Sequence, residues 1–397
     1  MLGAGVFSVF APAAQAAGGG LLIGLAIAAA VAYCNATASA QLAAAYPTSG
    51  GTYVYGRERL GHWWGFLAGW GFVIGKTASC AAMALTFAAY VAPSDWQRPV
   101  AIAAVIALAA VNYRGITRTA RLTRVIVAVV LVALAAAVAA SLFGRPDGVG
   151  SLGDLSDGLA SGGAYGILQS AGLMFFAFAG YARIATMGEE VRDPDRTIPR
   201  AILIALGVAV CIYVTIAVAL LLVLGADDLA STTTPLTTAV EVGSWDWAAP
   251  LVRIGGAAAA LGALLALVGG VGRTSLAMAR NGDLPRWVAA IHPRYEVPHR
   301  AEVAVATVVC ALVLTVDLRG AIGFSSFGVL LYYLIANVSA FTQPAADRKF
   351  PKSLQVAGAL GCVVLVATLP PVTIGVGIAV FVVGVAYRFS RTRYLHE

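Results

Sequence analysis

Charge is what this sequence has least of. Asp, Glu, Lys and Arg together make up 11% of 397 residues, while hydrophobic residues make up 60%. A soluble globular chain of that length does not hide so much apolar surface, so the composition describes an all-α polytopic membrane protein. Asp and Glu are missing from the deep part of every apolar run. The four histidines (His62, His292, His299, His396) sit in loops or at the ends of runs, and the five cysteines (Cys34, Cys80, Cys211, Cys310, Cys362) show no CxxC spacing. These absences argue against a metal centre, a disulfide framework and a His-based catalytic centre. An embedded acyl or glycosyl transferase needs clustered His, Asp or Glu facing a cavity. A channel needs rings of polar or charged residues. Neither pattern is present, so no catalytic residue, metal or cofactor is expected, and the cysteines read as small packing residues.

What is present is a series of apolar runs. They lie at Leu21–Ala45, His62–Val91, Val100–Val111, Val125–Phe143, Tyr165–Met187 and Ala201–Leu224. Further runs follow at Ala248–Val271, Val303–Val316, Gly323–Phe341, Leu354–Leu369 and Val372–Tyr387. The opening Gly3–Ala17 adds a partial first helix, giving about 12 spans with the first truncated. Ala13–Ala17 has the small residues of a signal-cleavage site, but the stretch lacks a basic leader, so a broken helix is the better reading. In it Gly3-Ala4-Gly5 is unwound, Val6–Ala17 is the half-helix that follows, and a preceding half-helix is expected upstream.

The net charge of +7 is a statement about topology, not about nucleic acid. Of the 26 Lys and Arg, 20 fall in alternate loops, among them Arg57, Arg59, Arg114, Arg280, Arg286, Arg300 and Arg388. That bias places both termini in the cytoplasm of a multi-pass plasma-membrane protein. The opposite loops hold Arg98, Arg145, Arg319 and Arg253, while Lys76 and Arg183 lie inside spans. The seven tryptophans mostly flank spans as an interfacial belt, Trp70 excepted.

The chain is organised around Gly172–Arg200. Phe175, Phe176 and Phe178 run into Ala179-Gly180-Tyr181, a weak point for a helix because Gly disfavours a helix interior. The segment turns polar at Glu189-Glu190, Pro194 closes it, and Thr197 with Pro199 restarts a helix. Backbone groups freed at such a break inside a bilayer are satisfied by protein, water or solute, never by lipid. Five spans begin at Gly3-Ala4-Gly5 and five more at the span holding Ala179-Gly180, so the second set is inverted relative to the first. Breaks at matching places in two inverted halves point to a binding site at the membrane midplane.

Several stretches carry a family resemblance. They are GAGVF at Gly3–Phe7, YPTSGGTYVYGRERLG at Tyr46–Gly61, GFLAGW at Gly65–Trp70 and NYRGITRTARLTRV at Asn112–Val125. Two longer ones span Phe175–Ile202 and Arg273–Glu302. The chain resembles the amino acid–polyamine–organocation (APC) permeases, in a bacterial branch similar to cationic amino acid transporters. The resemblance implies a LeuT-like fold: inverted five-helix repeats at 1–143 and 144–343, with two peripheral helices and a cytoplasmic tail at 344–397. It implies an amino acid or amine substrate held at the breaks, by Gly3, Ala4, Gly5, Val6 and Phe7 on one side. On the other side stand Phe175, Phe176, Ala177, Phe178, Ala179, Gly180 and Tyr181. Amides around Gly3–Gly5 would take the carboxylate, the carbonyls at Phe175–Phe178 the ammonium, and Phe176 or Phe178 would form an aromatic lid. The physics agrees, since half-helix ends expose N–H groups or carbonyls. The resemblance also implies a short outer lid helix within Thr232–Trp247.

One departure is informative. Proton-coupled members place a lysine in the fifth helix, and here that position aligns with Val130. Lys76, about 20 Å along its own span, is the candidate for the coupling or counter-charge role. A structural lysine bonded to carbonyls of a broken helix is the alternative. Arg183 is expected to be a structural or gating charge. Glu189, Glu190, Arg121 and Arg124 are expected to form an ion-pair network at the inner face. The expected activity is secondary active amino acid transport, with the proton as coupling ion and sodium left open. An uncoupled exchanger or facilitator and a transport-dead sensor are the alternatives. Fixed cations without a buried carboxylate favour a neutral or acidic substrate over a cationic one. The bilayer is the expected surrounding, and the chain a monomer or homodimer.

Overall fold

Alanine and straight-chain apolar residues favour helix, and glycine lets helices approach each other closely. The computed structural model is built in that way. It describes residues 3–46, 50–115, 120–144, 158–181 and 193–394, which contain helices and no strand. The chain opens with a short helix α1 (Gly5–Ser8) and continues, after a one-residue interruption at Val9, into α2 (Phe10–Ala17). There follow α3 (Leu21–Ala45), α4 (Thr52–Leu60), α5 (His62–Val91), α6 (Gln97–Tyr113) and α7 (Ala120–Phe143). Then come α8 (Gly163–Phe178), α9 (Pro194–Ser231), α10 (Pro235–Val242) and α11 (Ala249–Arg280). The chain ends with α12 (His299–Thr315), α13 (Leu318–Phe341), α14 (Lys352–Thr368) and α15 (Pro371–Tyr394). Eight segments of the described residues are long and apolar enough to cross a membrane. The protein is a multi-pass membrane protein.

The central packing is backbone on backbone. Gly71 and Gly75 of α5 meet Gly328 and Ser325 of α13 so closely that a Cβ on Gly328 would fall 2.6 Å from the Gly71 carbonyl oxygen. Ser79 and Ser325 then share a hydrogen bond of 2.6 Å across the seam. Without a hydrophobic drive between helices in lipid, such close contact and buried polar pairs do the joining. A second buried pair, Asn337 Nδ2 to Asn35 Oδ1 at 2.6 Å, ties α13 to α3.

Three expectations about boundaries need correction. Helix α9 starts at Pro194 rather than at a Thr197 cap, because Pro194 itself occupies the first helical positions and Pro199 lies inside. The same helix does not stop at Leu224. It continues to Ser231 across a kink at Gly225, whose φ of 70° only glycine adopts readily. At the first break the helix begins at Gly5, so the unwound stretch is shorter than Gly3–Gly5. A short helix, α10, does lie within Thr232–Trp247. Of the five cysteines, Cys34, Cys80 and Cys362 are buried packing residues, whereas Cys211 is exposed and Cys310 half-buried.

Candidate functional site

The two helix interruptions lie against each other. A Cβ on Gly5 would sit 2.7 Å from the Ala177 Cα, so α1 and the end of α8 touch through bare backbone. Helix α8 stops at Phe178 and tightens into a single 3-10 turn, Ala179–Tyr181. This is where the Phe-rich run meets glycine in the sequence. Tightening in this way removes the i+4 N–H partner of some carbonyls and leaves them to be satisfied from elsewhere.

Four carbonyl oxygens at the breaks accept a bond from a side chain, one of them, Ala4 O, in addition to the backbone bond from Phe7 N. Ser8 Oγ donates to Ala4 O at 3.0 Å, within the first break. Tyr90 Oη of α5 donates to Phe7 O at 3.1 Å. Tyr213 Oη of α9 donates to Ala177 O at 3.0 Å. Lys76 Nζ of α5 donates to Ala179 O at 3.1 Å, and Lys76 is only 5% exposed. A buried ammonium is tolerated here because the break supplies a carbonyl dipole to face it.

Aromatic rings surround the break. Phe175 meets Tyr333 edge-on with centroids 5.8 Å apart, and Tyr181 lies 5.0 Å from the same ring. Phe178 packs on Tyr213 at 5.1 Å and is fully buried, while Phe176 keeps 7% exposure. Ala4, Val6 and Phe7 are fully buried, Gly3 is half-buried, and Gly180 is exposed. The sequence-derived residues of the two breaks therefore form one contiguous cluster. Sequence reasoning missed Tyr90 and Tyr213 as donors to the freed carbonyls. Their signal is weak: a lone tyrosine inside an apolar span.

Arg183, Glu189 and Glu190 lie outside the described residues. Arg121 and Arg124 are exposed on the first turn of α7, and Val130 is buried in that helix.

A second charged centre was not anticipated. Asp283, just after α11, is 4% exposed and accepts from Tyr53 Oη at 2.7 Å and from Arg57 at 3.2 Å, both on α4. It also pairs with Arg388 of α15, whose guanidinium lies 4.8 Å over the rings of both Trp63 and Phe66. Arg391 adds a bond to the Leu284 carbonyl. Burial, and then the neighbouring Asp283 carboxylate, push the Tyr53 phenol well above its ordinary range, so it stays a donor. At the other end of the bundle Arg319 of α13 bonds Gln15 of α2 and Gln169 of α8, each at 3.1 Å. Gln15 reaches on to Ala230 O at 2.7 Å, and Gln169 to Thr368 O at 3.2 Å.

Known proteins resemble the chain over most of its length. An uncharacterized transporter of Mycobacterium tuberculosis is 59% identical over 97% of this chain and 87% of its own length. The branched-chain amino acid permease BcaP of Bacillus subtilis is 23% identical over 99% of this chain and 90% of its own. Cationic amino acid transporter 4 of Homo sapiens is 27% identical over 85% of this chain and 56% of its own. The family profile described as amino acid permease matches residues 1–391. The chain belongs to the amino acid permease family, a family of transporters and not of enzymes.

Proposed function

We propose that this chain is a secondary amino acid transporter of the cell membrane that binds its substrate at the paired breaks of α1 and α8. The observation that carries the reading is the contact of Gly5 with Ala177, which brings free helix ends of opposite polarity to one place. Amides near Gly3–Gly5 take the substrate carboxylate. The carbonyl run through Phe175–Phe178 takes its ammonium once Tyr213 releases Ala177 O, and Phe176, with its residual exposure, closes over it. Inverted repeats at 1–143 and 144–343 rock against each other around this point, with 344–397 outside the moving parts.

Proton coupling runs through Lys76. Charged, Lys76 Nζ binds the Ala179 oxygen with a charge-assisted bond; neutral, it holds the break less firmly. Proton gain and loss therefore bias whether the break is locked. A fixed cation with no carboxylate beside it among the described residues favours a neutral or acidic amino acid. The name of the BcaP relative, a branched-chain permease, is consistent with a neutral one. The same Lys76 contact supports a second reading, an uncoupled exchanger in which the lysine is only a structural clamp.

The test is uptake of labelled neutral, acidic and basic amino acids into proteoliposomes with and without an inward proton gradient. Gradient-stimulated uptake of one class supports the symporter. Exchange that ignores the gradient supports the second reading. Binding without flux in any condition overturns both and leaves a sensor.

A further inference from the structure

A groove of ≈ 640 Å³ opens on the outer surface of the bundle, away from the breaks and at the arginine-rich end. Its walls come from Tyr113 at the end of α6, Trp287 in the loop after α11, and the first three turns of α12. The two ends of the groove differ in chemistry. Along α12 it is apolar and open to the surroundings, with Val303 52% and Val308 50% exposed. At its mouth stand Arg300 and His299, with Trp287 beside them. Arg114, next to Tyr113, and Arg286, next to Trp287, flank it in sequence.

Arg114, Arg286 and Arg300 are exposed, and none makes an ion pair with a described residue. Three acidic residues are near in sequence, of which Asp283 is buried and already paired with Arg57 and Arg388. Glu296 is exposed in the loop before α12, and Glu302 is 4% exposed and turned inward against Gly272. Arg294 is engaged on the ring of Tyr295 at 5.6 Å. The mouth therefore carries an excess of positive charge. Its floor is stiff, because Tyr113 contacts His292 and His299 edge-on at 5.3 and 5.8 Å.

An aromatic pair at the interface level, a basic mouth and an apolar wall running into the bilayer match one molecule: a two-chain phospholipid with an anionic headgroup. We infer that this groove is a specific binding site for an anionic phospholipid, its phosphodiester at Arg300 and Arg286 and an acyl chain along Val303 and Thr307. The inference rests on membrane embedding alone and not on the transport mechanism.

The test is native mass spectrometry of the full chain in mild detergent, titrated with an equimolar mixture of phosphatidylglycerol and phosphatidylcholine. The expected result is preferential retention of phosphatidylglycerol. Arg286→Gln and Arg300→Gln should each weaken that preference by about fivefold, the worth of one basic side chain near a charged lipid surface. Thr307→Trp, an exposed position that fills the groove, should lower retention of both lipids without changing the melting temperature. Arg253→Gln, an exposed arginine paired with Glu241 elsewhere, should change nothing. Equal retention of the two lipids by the unaltered chain overturns the inference, as does an unchanged preference in the double arginine variant. A dimer that Thr307→Trp dissociates also overturns it, and assigns the groove to a second copy of the chain.

Discussion

The two ends of the bundle are closed by different chemistry. At the arginine-rich end Asp283 is buried and draws in Tyr53, Arg57 and Arg388 from two other helices. At the opposite end Arg319 reaches two neutral glutamines, one exposed, which pass the contact on to backbone carbonyls. An ionised carboxylate without water is costly to leave short of partners, whereas an arginine at a half-exposed site turns to water with little loss. The first end is therefore strongly held and cooperative, the second easily opened. Separating the helices at the Arg319 end therefore costs less than separating them at the Asp283 end.

The largest expected effect tests the hub. Asp283→Ala should lower stability by about 3–5 kcal/mol, as for breaking a buried ion pair, read as a fall in thermal midpoint in detergent. If it falls no further than Arg319→Ala, the contrast between the ends disappears. Raising the pH from 7 to 9 should leave the wild-type midpoint unmoved through Tyr53, because its phenol is shifted upward and stays protonated across that window.

Next in size is Lys76→Met. Losing a charged hydrogen bond of about 1.5–3 kcal/mol should cut gradient-driven uptake at least about tenfold while exchange persists. Full gradient-driven uptake by this variant would end the coupling role and leave the structural clamp. Tyr213→Phe should cost about 1 kcal/mol, one neutral hydrogen bond, and should be read as a change of a few-fold in substrate affinity. The smallest effect belongs to Arg319→Gln, below about 1 kcal/mol in stability. It should instead raise the labelling rate of a cysteine placed at half-buried Ala16, beside these contacts, the direct readout of a clasp that opens more often.

The sequence made the frame legible where local chemistry decides. The stop of α8 at Phe178 follows from a glycine two residues on, and the break near Gly5 from Gly-Ala-Gly. Lys76 was legible as an anomaly, since an ammonium deep in an apolar run demands a partner. Its partner, Ala179 O, was not, because 103 residues separate them and only the folded bundle brings the middle of α5 to the turn after α8. Asp283 escaped notice for the opposite reason. In sequence it is an ordinary loop carboxylate after Arg280-Asn281-Gly282, and burial by α4 and α15 cannot be read from its neighbours. The Thr197 cap failed because two prolines offered competing helix starts and the earlier one prevailed.

Lys76 sits roughly halfway along a 30-residue helix. A charge at that depth lies inside the membrane's electric field. One elementary charge moved across a full 100 mV drop corresponds to about 2.3 kcal/mol, and a charge at the middle feels about half of it. Each protonation or deprotonation of this one ammonium therefore does electrical work as well as chemical work. Under the coupling reading, transport should speed or slow with membrane voltage even for a substrate that carries no net charge.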